Sequence, residues 1–229
     1  GVVLRGHVPY SFTGRSVAAV GDINADGVDD VLLGAPAYET ESPPTPGRCY
    51  VLFGSPSLGS TATIDLGTLD GSDGFRIEST QSGDYAGFSV SVAGDINGDG
   101  VTDLLIGAYR RDKCYIVFGG PDVGSSGSVS LGTLNGSNGF VLNANQTNDG
   151  CGFSVAAAGD INADAIDDVL IGSYTGSPGV VAGGICHVLF GAPGIGASGV
   201  LDLIDLSGPD GFEIHGRAFG DQLGRSVAA

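Results

Sequence analysis

The chain has 229 residues, 41% of them hydrophobic, enough to bury a core in one or two domains and too apolar for a disordered segment. With 26 acidic against 9 basic side chains, its net charge of −17 sets it against nucleic acid and anionic membranes and favours cations as partners. No apolar run reaches 18 residues and no charged-then-apolar leader opens the chain, so neither membrane insertion nor a signal peptide is expected; the missing initiator Met marks a processed or excerpted chain. Gly, at 42 residues, is abundant, Trp and Met are absent, and the composition favours strands and turns.

The opening 19 residues, "GVVLRGHVPYSFTGRSVAA", align without gaps on residues 74–92, 139–157 and 211–229. The chain therefore reads as repeats over 1–73, 74–138 and 139–210, followed by a partial repeat over 211–229 that stops mid-unit. In chain order, Val2 to Leu4 is the fourth strand of a preceding set. The second set then gives strands one to four as Phe88 to Ala93, Asp103 to Ala108, Cys114 to Phe118 and Phe140 to Leu142, each bounded by Gly, Asp or Ser. Ser226 to Ala229 closes the chain as a first strand. Four short strands per unit at this period predict an all-β fold, a β-propeller built of four-stranded antiparallel blades, with three full blades plus a strand of each flanking blade. Strands one and four are not neighbours within a blade, so the ring is incomplete and calls for further repeats or further copies.

Between strands one and two of each set lies an acidic loop. The three loops are Asp22, Asn24, Asp26, Val28 and Asp30; Asp95, Asn97, Asp99, Val101 and Asp103; and Asp160, Asn162, Asp164, Ile166 and Asp168. Side-chain oxygens at positions 1, 3, 5 and 9, with a backbone carbonyl at 7, form a ligand set for a hard cation of the Ca²⁺ type. Without an ion the clustered carboxylates repel one another, whereas a divalent cation turns them into a cross-link. An EF-hand would need Glu at position 12 and helical flanks; here that position is Leu33, Ile106 or Ile171. Plain hairpin turns with solvated Asp are the alternative, but a plain turn has no need of donors at every second position in three copies. About three Ca²⁺ sites are expected, the third weakest, because Ala165 stands where Gly27 and Gly100 supply positive φ.

These loops, with "GAP" at residues 34–36 and Phe-Gly pairs nearby, resemble FG-GAP repeats, the units of the integrin α-subunit propeller and its bacterial relatives. The resemblance covers essentially the whole chain. It implies seven blades in the parent protein, Ca²⁺ loops on the lower rim, and a location that is extracellular or at the cell surface. The chain departs from the pattern at residues 107–109, Gly-Ala-Tyr, and 172–174, Gly-Ser-Tyr.

From each Phe-Gly pair to the next Gly-Phe start the spacing is 20 residues in all three repeats, and the connection between strands two and three absorbs all variation in length. In a meandering blade that connection projects from the face opposite the acidic loops, and loops on a rigid scaffold carry binding. Tyr38, Tyr109, Arg110, Arg111, Lys113 and Tyr174 are nominated there for a protein or glycan ligand. Arg110, Arg111 and Lys113 gather a third of the basic residues in one short loop. An acidic partner and a solvated, insertion-tolerant loop are equal readings of it.

Cys49, Cys114 and Cys186 occupy equivalent positions a blade spacing apart, beyond disulfide reach, and Cys151 lies in a different connection, so four free and mostly buried thiols are expected. No paired CxxC suggests zinc. "GIGASG" at 194–199 precedes a strand-like run rather than a helix, and no GxSxG occurs. His7, His187 and His215 lie in separate repeats with no nucleophile beside them, which favours packing or surface roles over catalysis. Asn135 and Asn145 head sequences that fit the glycosylation sequon, a match that also arises by chance. The expected function is that of a non-catalytic, calcium-stabilised propeller for extracellular adhesion, recognition or assembly. The alternatives are an accessory binding propeller of a larger secreted enzyme and a self-assembling filament subunit.

Overall fold

The unbroken apolar runs of the sequence become strands buried on both faces, each blade lying against the next. The computed structural model describes residues 1–37, 45–59, 63–144, 148–176 and 183–229. After β1 (Val3–Arg5), the first blade takes β2 (Ser16–Gly21), β3 (Asp30–Ala35) and β4 (Pro46–Leu52), passes through β5 (Thr63–Asp65) and closes on β6 (Gly74–Ser82). The second repeats this with β7 (Ser89–Gly94), β8 (Asp103–Ala108), β9 (Lys113–Val117), β10 (Ser128–Ser130) and β11 (Gly139–Asn143). The third uses β12 (Cys151–Gly159), β13 (Asp168–Ser173), β14 (Ile185–Leu189), β15 (Val200–Asp202) and β16 (Gly211–His215). Each blade is an antiparallel meander of four of these strands, and the second set matches its expected limits to within a residue.

The fifth strand of each repeat was not expected. It leaves its own blade and runs parallel to the last strand of the preceding one: β10 joins β6, β15 joins β11, and β5 joins β1. The first two sheets therefore have five strands, in the orders β10-β6-β4-β3-β2 and β15-β11-β9-β8-β7. This strap accounts for the constant 20-residue spacing. The segment must reach the neighbouring blade, hold three residues in register, make one 3₁₀ turn that buries Leu66, Leu131 or Leu203, and return. An inserted residue would break the register at one end or the other.

Ser226–Ala229, expected as a first strand, forms none. In the three blades strand one is held by strand two of its own blade, and Ser226–Ala229 pair with no strand among the described residues.

Alternation along the strands sends neighbouring residues to opposite blade interfaces. Leu32 and Val51 of the first blade join Leu104, Ile106 and Val117 of the second in one cluster, while Leu33, Tyr50 and Leu52 pack on the other side with Leu4 and Ile64. Leu105, Ile116 and Phe140 of the second blade meet Val169, Ile171 and Leu189 of the third.

A repeated backbone clasp sets how closely the blades approach. The hydroxyls of Ser16, Ser89 and Ser154 donate to the carbonyls of Gly87, Gly152 and Gly224 in the next repeat, at 3.0, 2.7 and 2.7 Å. Those carbonyls lie directly over Gly34, Gly107 and Gly172, where a Cβ would stand 2.0, 2.1 and 1.9 Å from the oxygen. The Gly of "GAP" thus exists because the next blade's backbone occupies its side-chain space. Gly107→Ala is expected to force the second and third blades apart and destabilise the fold by more than about 2 kcal/mol, read from chemical unfolding. A near-neutral effect would show that the clasp is not rigid.

His187 occupies the slot of Tyr50 and Tyr115 and shares a sheet face with Ile171 and Leu189, which pack on the second blade. Burial holds its imidazole down, at about 4 against an ordinary 6.5, although Glu213 beside it pulls the other way and His215 adds to the depression. Over that window the unfolded chain binds the extra proton, so this residue makes stability fall as pH drops from 6.5 toward 4. His187→Tyr is expected to flatten that slope in unfolding measured against pH, and an unaltered slope would refute the assignment.

Candidate metal-binding loops and the opposite face

The three acidic loops join β2 to β3, β7 to β8 and β12 to β13, and fold alike. The position 1 carboxylate accepts the amides of positions 5 and 6: Asp22 from Asp26 and Gly27 at 2.9 and 2.7 Å, Asp95 from Asp99 and Gly100 at 2.9 and 2.8 Å, Asp160 from Asp164 and Ala165 at 3.0 and 2.9 Å. The amide oxygens of Asn24, Asn97 and Asn162 accept from the same position 5 amides, and their nitrogens donate to the carboxylates of Asp26, Asp99 and Asp164 at 3.0, 3.0 and 2.9 Å. Side chains 1, 3 and 5 therefore converge at the loop tip. Val28, Val101 and Ile166, at position 7, donate their amides to position 5, each at 2.9 Å.

Tight reversal of the loop demands left-handed backbone. At position 6, Gly27, Gly100 and Ala165 have φ of 88°, 89° and 73°, so Ala165 does hold the strained conformation. Position 4 makes the same demand, with φ of 60° at Ala25, 74° at Gly98 and 64° at Ala163, and the sequence reading missed it.

Position 9 stands apart from the tip. Asp30, Asp103 and Asp168 are 1%, 0% and 0% exposed. One oxygen of each accepts the amide of Ile23, Ile96 or Ile161, and the other accepts that of Gly54, Gly119 or Gly191 at the end of strand three. These carboxylates clamp the loop to the blade. Burial pushes Asp103 up to about 7, opposed by its two amide donors and reinforced by the charges of Asp99 and Asp95; burial likewise raises Asp30 and Asp168. Position 8 also has a role unseen in the sequence, reaching back to the preceding loop. The Asp167 carboxylate accepts the Asp95 amide at 2.9 Å, and the Thr102 hydroxyl donates to the Asp22 carbonyl at 3.2 Å.

Among the described residues, no group of three or more His, Cys, Asp or Glu side chains is arranged to hold a metal ion. The convergent set in each loop is two Asp and one Asn, all hard oxygen donors on their carbonyl and carboxylate sides. Each carboxylate oxygen of Asp30 and Asp103 takes one amide, and Asp168 takes a further backbone bond from Asn162; the oxygen donors of the loop tips fit a Ca²⁺-type ion.

At the opposite end, the nominated residues divide. Tyr109, Arg110 and Tyr174 line one cleft of about 250 Å³ together with Asp112, Asn148 and Thr175. Asp112 braces it by accepting the amides of Asn148 and Gly150 at 2.6 and 2.8 Å. Arg111 instead donates to the Ser82 carbonyl at 3.3 Å, and Lys113 sits in β9 opposite Asn143. Tyr38 lies outside the described residues, as does the Asn145 sequon, and only the connection at 109–113 is described throughout. An aromatic row backs the cleft: Tyr109 contacts Phe88 and Phe153 at centroid distances of 4.5 and 5.3 Å, and Phe153 contacts Tyr174 at 4.4 Å. Arg15 lies 4.4 Å over Phe88 and Arg225 5.9 Å from Phe153. Arg15, Phe88, Phe153 and Arg225 are the same position in the four aligned repeats.

His187 and His215, from separate sequence repeats, meet through Glu213, at 3.1 Å from His187 Nδ1 and 3.0 Å from His215 Nε2. Ser173 Oγ lies 3.1 Å from His187 Nε2, so a hydroxyl does stand beside this histidine, contrary to expectation. Strand pairing of β13, β14 and β16 assembles the group, which spacing could not reveal. Ser173 and His187 are both 0% exposed, which closes the hydroxyl to substrate. His187 Nδ1 is near Glu213 but misaligned for a hydrogen bond.

Residues 13–51 and 86–131 match the FG-GAP repeat. Integrin alpha-5 of Xenopus laevis is 30% identical over 131 residues, covering 57% of this chain and 12% of that protein. The bovine phosphatidylinositol-glycan-specific phospholipase D is 33% identical over 165 residues, 72% of this chain and 19% of the enzyme, and mouse integrin alpha-8 is 32% identical over 181 residues, 72% and 15% respectively. The chain thus spans no more than about a fifth of the length of these relatives. None of its described helices is long and apolar enough to cross a membrane. The repeated blades, their loops and these matches make the chain a member of the FG-GAP repeat proteins, whose repeats build a β-propeller.

Proposed function

We propose that this segment is a non-catalytic, calcium-stabilised β-propeller serving recognition or adhesion outside the cytoplasm. The observation that carries the metal reading is the threefold recurrence of one hydrogen-bonded loop whose Asp, Asn and Asp side chains converge at its tip. Asp22, Asn24 and Asp26, Asp95, Asn97 and Asp99, and Asp160, Asn162 and Asp164 would hold the ions. The carbonyls of Val28, Val101 and Ile166, with Asp30, Asp103 and Asp168 beneath the tip, would complete the set. A bound cation would neutralise the carboxylates and tie the two strands flanking each loop.

The recognition reading rests on the integrin α relatives and on the braced cleft at the other end, with Tyr109, Arg110 and Tyr174 as contact residues for a protein or glycan. A second reading, an accessory propeller of a larger secreted enzyme, is favoured by the phospholipase D matches, which lie on a fifth or so of that protein.

Chelation is expected to lower Tm and excess Ca²⁺ to restore it, by about 2.7 kcal/mol per site when the ion is at a hundredfold its Kd. A Tm indifferent to both would end the metal reading and leave the propeller intact. Asp99→Ala should remove one bound ion per chain in calorimetric titration, and undiminished stoichiometry would count against these ligands. Ala165→Gly relieves the left-handed strain and should add about 1 kcal/mol while tightening the third site. Stability equal to wild type would show that the loop relaxes around Ala.

A further inference from the structure

The strand-three cysteines face the next repeat across each blade interface, and the residue they meet differs from one interface to the next. The aligned position holds Ala86, Cys151 and Leu223 in successive repeats. Cys49 and Ala86 lie in one buried cluster, and Cys114 and Cys151 in the next. Cys114 and Cys151 are both 0% exposed, and their sulfurs are 3.9 Å apart. Cys151 lies between Gly150 and Gly152, whose φ of 69° and 80° form the glycine turn that presents it at the interface. Closing the sulfurs from 3.9 Å to the roughly 2 Å of a disulfide bond needs an approach of about 2 Å.

The geometry points to an inter-blade disulfide between Cys114 and Cys151, formed when the chain folds in an oxidising compartment. A thiolate of the pair attacks a small-molecule disulfide of the glutathione class and releases one thiol. The second cysteine, as thiolate, then attacks the mixed disulfide and releases the other thiol. Two protein thiols are oxidised, the reagent disulfide is reduced to two thiols, and one S–S bond joins the second and third blades. Burial pushes the Cys114 thiol well up, so exchange belongs to the stage before these blades close, and the finished bond is shielded from reductant. Cys49 and Cys186 have no such partner among the described residues and stay reduced.

The test is refolding of the chain in saturating Ca²⁺ and a glutathione redox buffer, followed by denaturation and alkylation. Two alkylated cysteines instead of four, and a cross-linked peptide pair containing Cys114 and Cys151, are expected. Reductant applied under destabilising conditions should lower Tm by about 10 °C, from a cross-link that closes a loop of some 37 residues. Cys151→Ala takes the residue of the first interface, Ala86, and should fold, respond to Ca²⁺ as before, and show no reductant-dependent change. Four alkylated thiols after oxidative refolding would overturn the proposal, as would a bond through Cys49 or Cys186, or a reductant effect that survives in Cys151→Ala. Calcium response and thiol count are read separately, so failure of one leaves the other standing.

Discussion

Each blade has two apolar faces and can cover them only with other blades. Leu32 and Leu33, adjacent in β3, go to opposite interfaces, and the same division runs through β8. The position of Phe75 and Phe140 is fully buried where a further blade and strap follow; its counterpart Phe212, on the last blade, is 44% exposed. One backbone slot is thus core or surface according to whether a neighbour is present. Stability is shared at interfaces rather than held within any single sheet.

The acidic loops answer to this arrangement at the rim. Within each loop the carboxylates divide between two tasks. The buried one at position 9 binds amides from the loop and from strand three, fixing where the turn sits, and the outer side chains at 1, 3 and 5 order the tip. Position 8 then ties one loop to its predecessor, so the rim is coupled around the propeller just as the sheets are. A charge of −17 concentrated partly in these turns becomes tolerable because so many of the acidic oxygens meet backbone N–H groups.

Differences among the repeats matter as much as their likeness. The scaffold holds a set of equivalent slots, and substitution within a slot sets local chemistry without altering the backbone. Arg15, Phe88, Phe153 and Arg225 place cations at the ends and rings in the middle of one row. Tyr50, Tyr115 and His187 put a phenol in two interfaces and a buried imidazole in the third, where Glu213 and His215 have gathered around it.

The sequence alone determined the all-β class, the repeat unit, the four meander strands and the acidic loops, because short apolar runs and turn chemistry are local and each was written three times. It also placed Tyr109, Arg110 and Tyr174 on one face, since a meander fixes which connections share an end. Only the tertiary structure decided which blade each fifth strand joins, that Asp30, Asp103 and Asp168 turn inward, and that Cys114 meets Cys151 and Ser173 meets His187. Those outcomes depend on which strands pair within a blade and on how the blades pack together. The contacts of Ser173 with His187 and of Cys114 with Cys151, 14 and 37 positions apart, leave no periodic trace in the chain, because strand pairing brings the first together and the stacking of sheets the second.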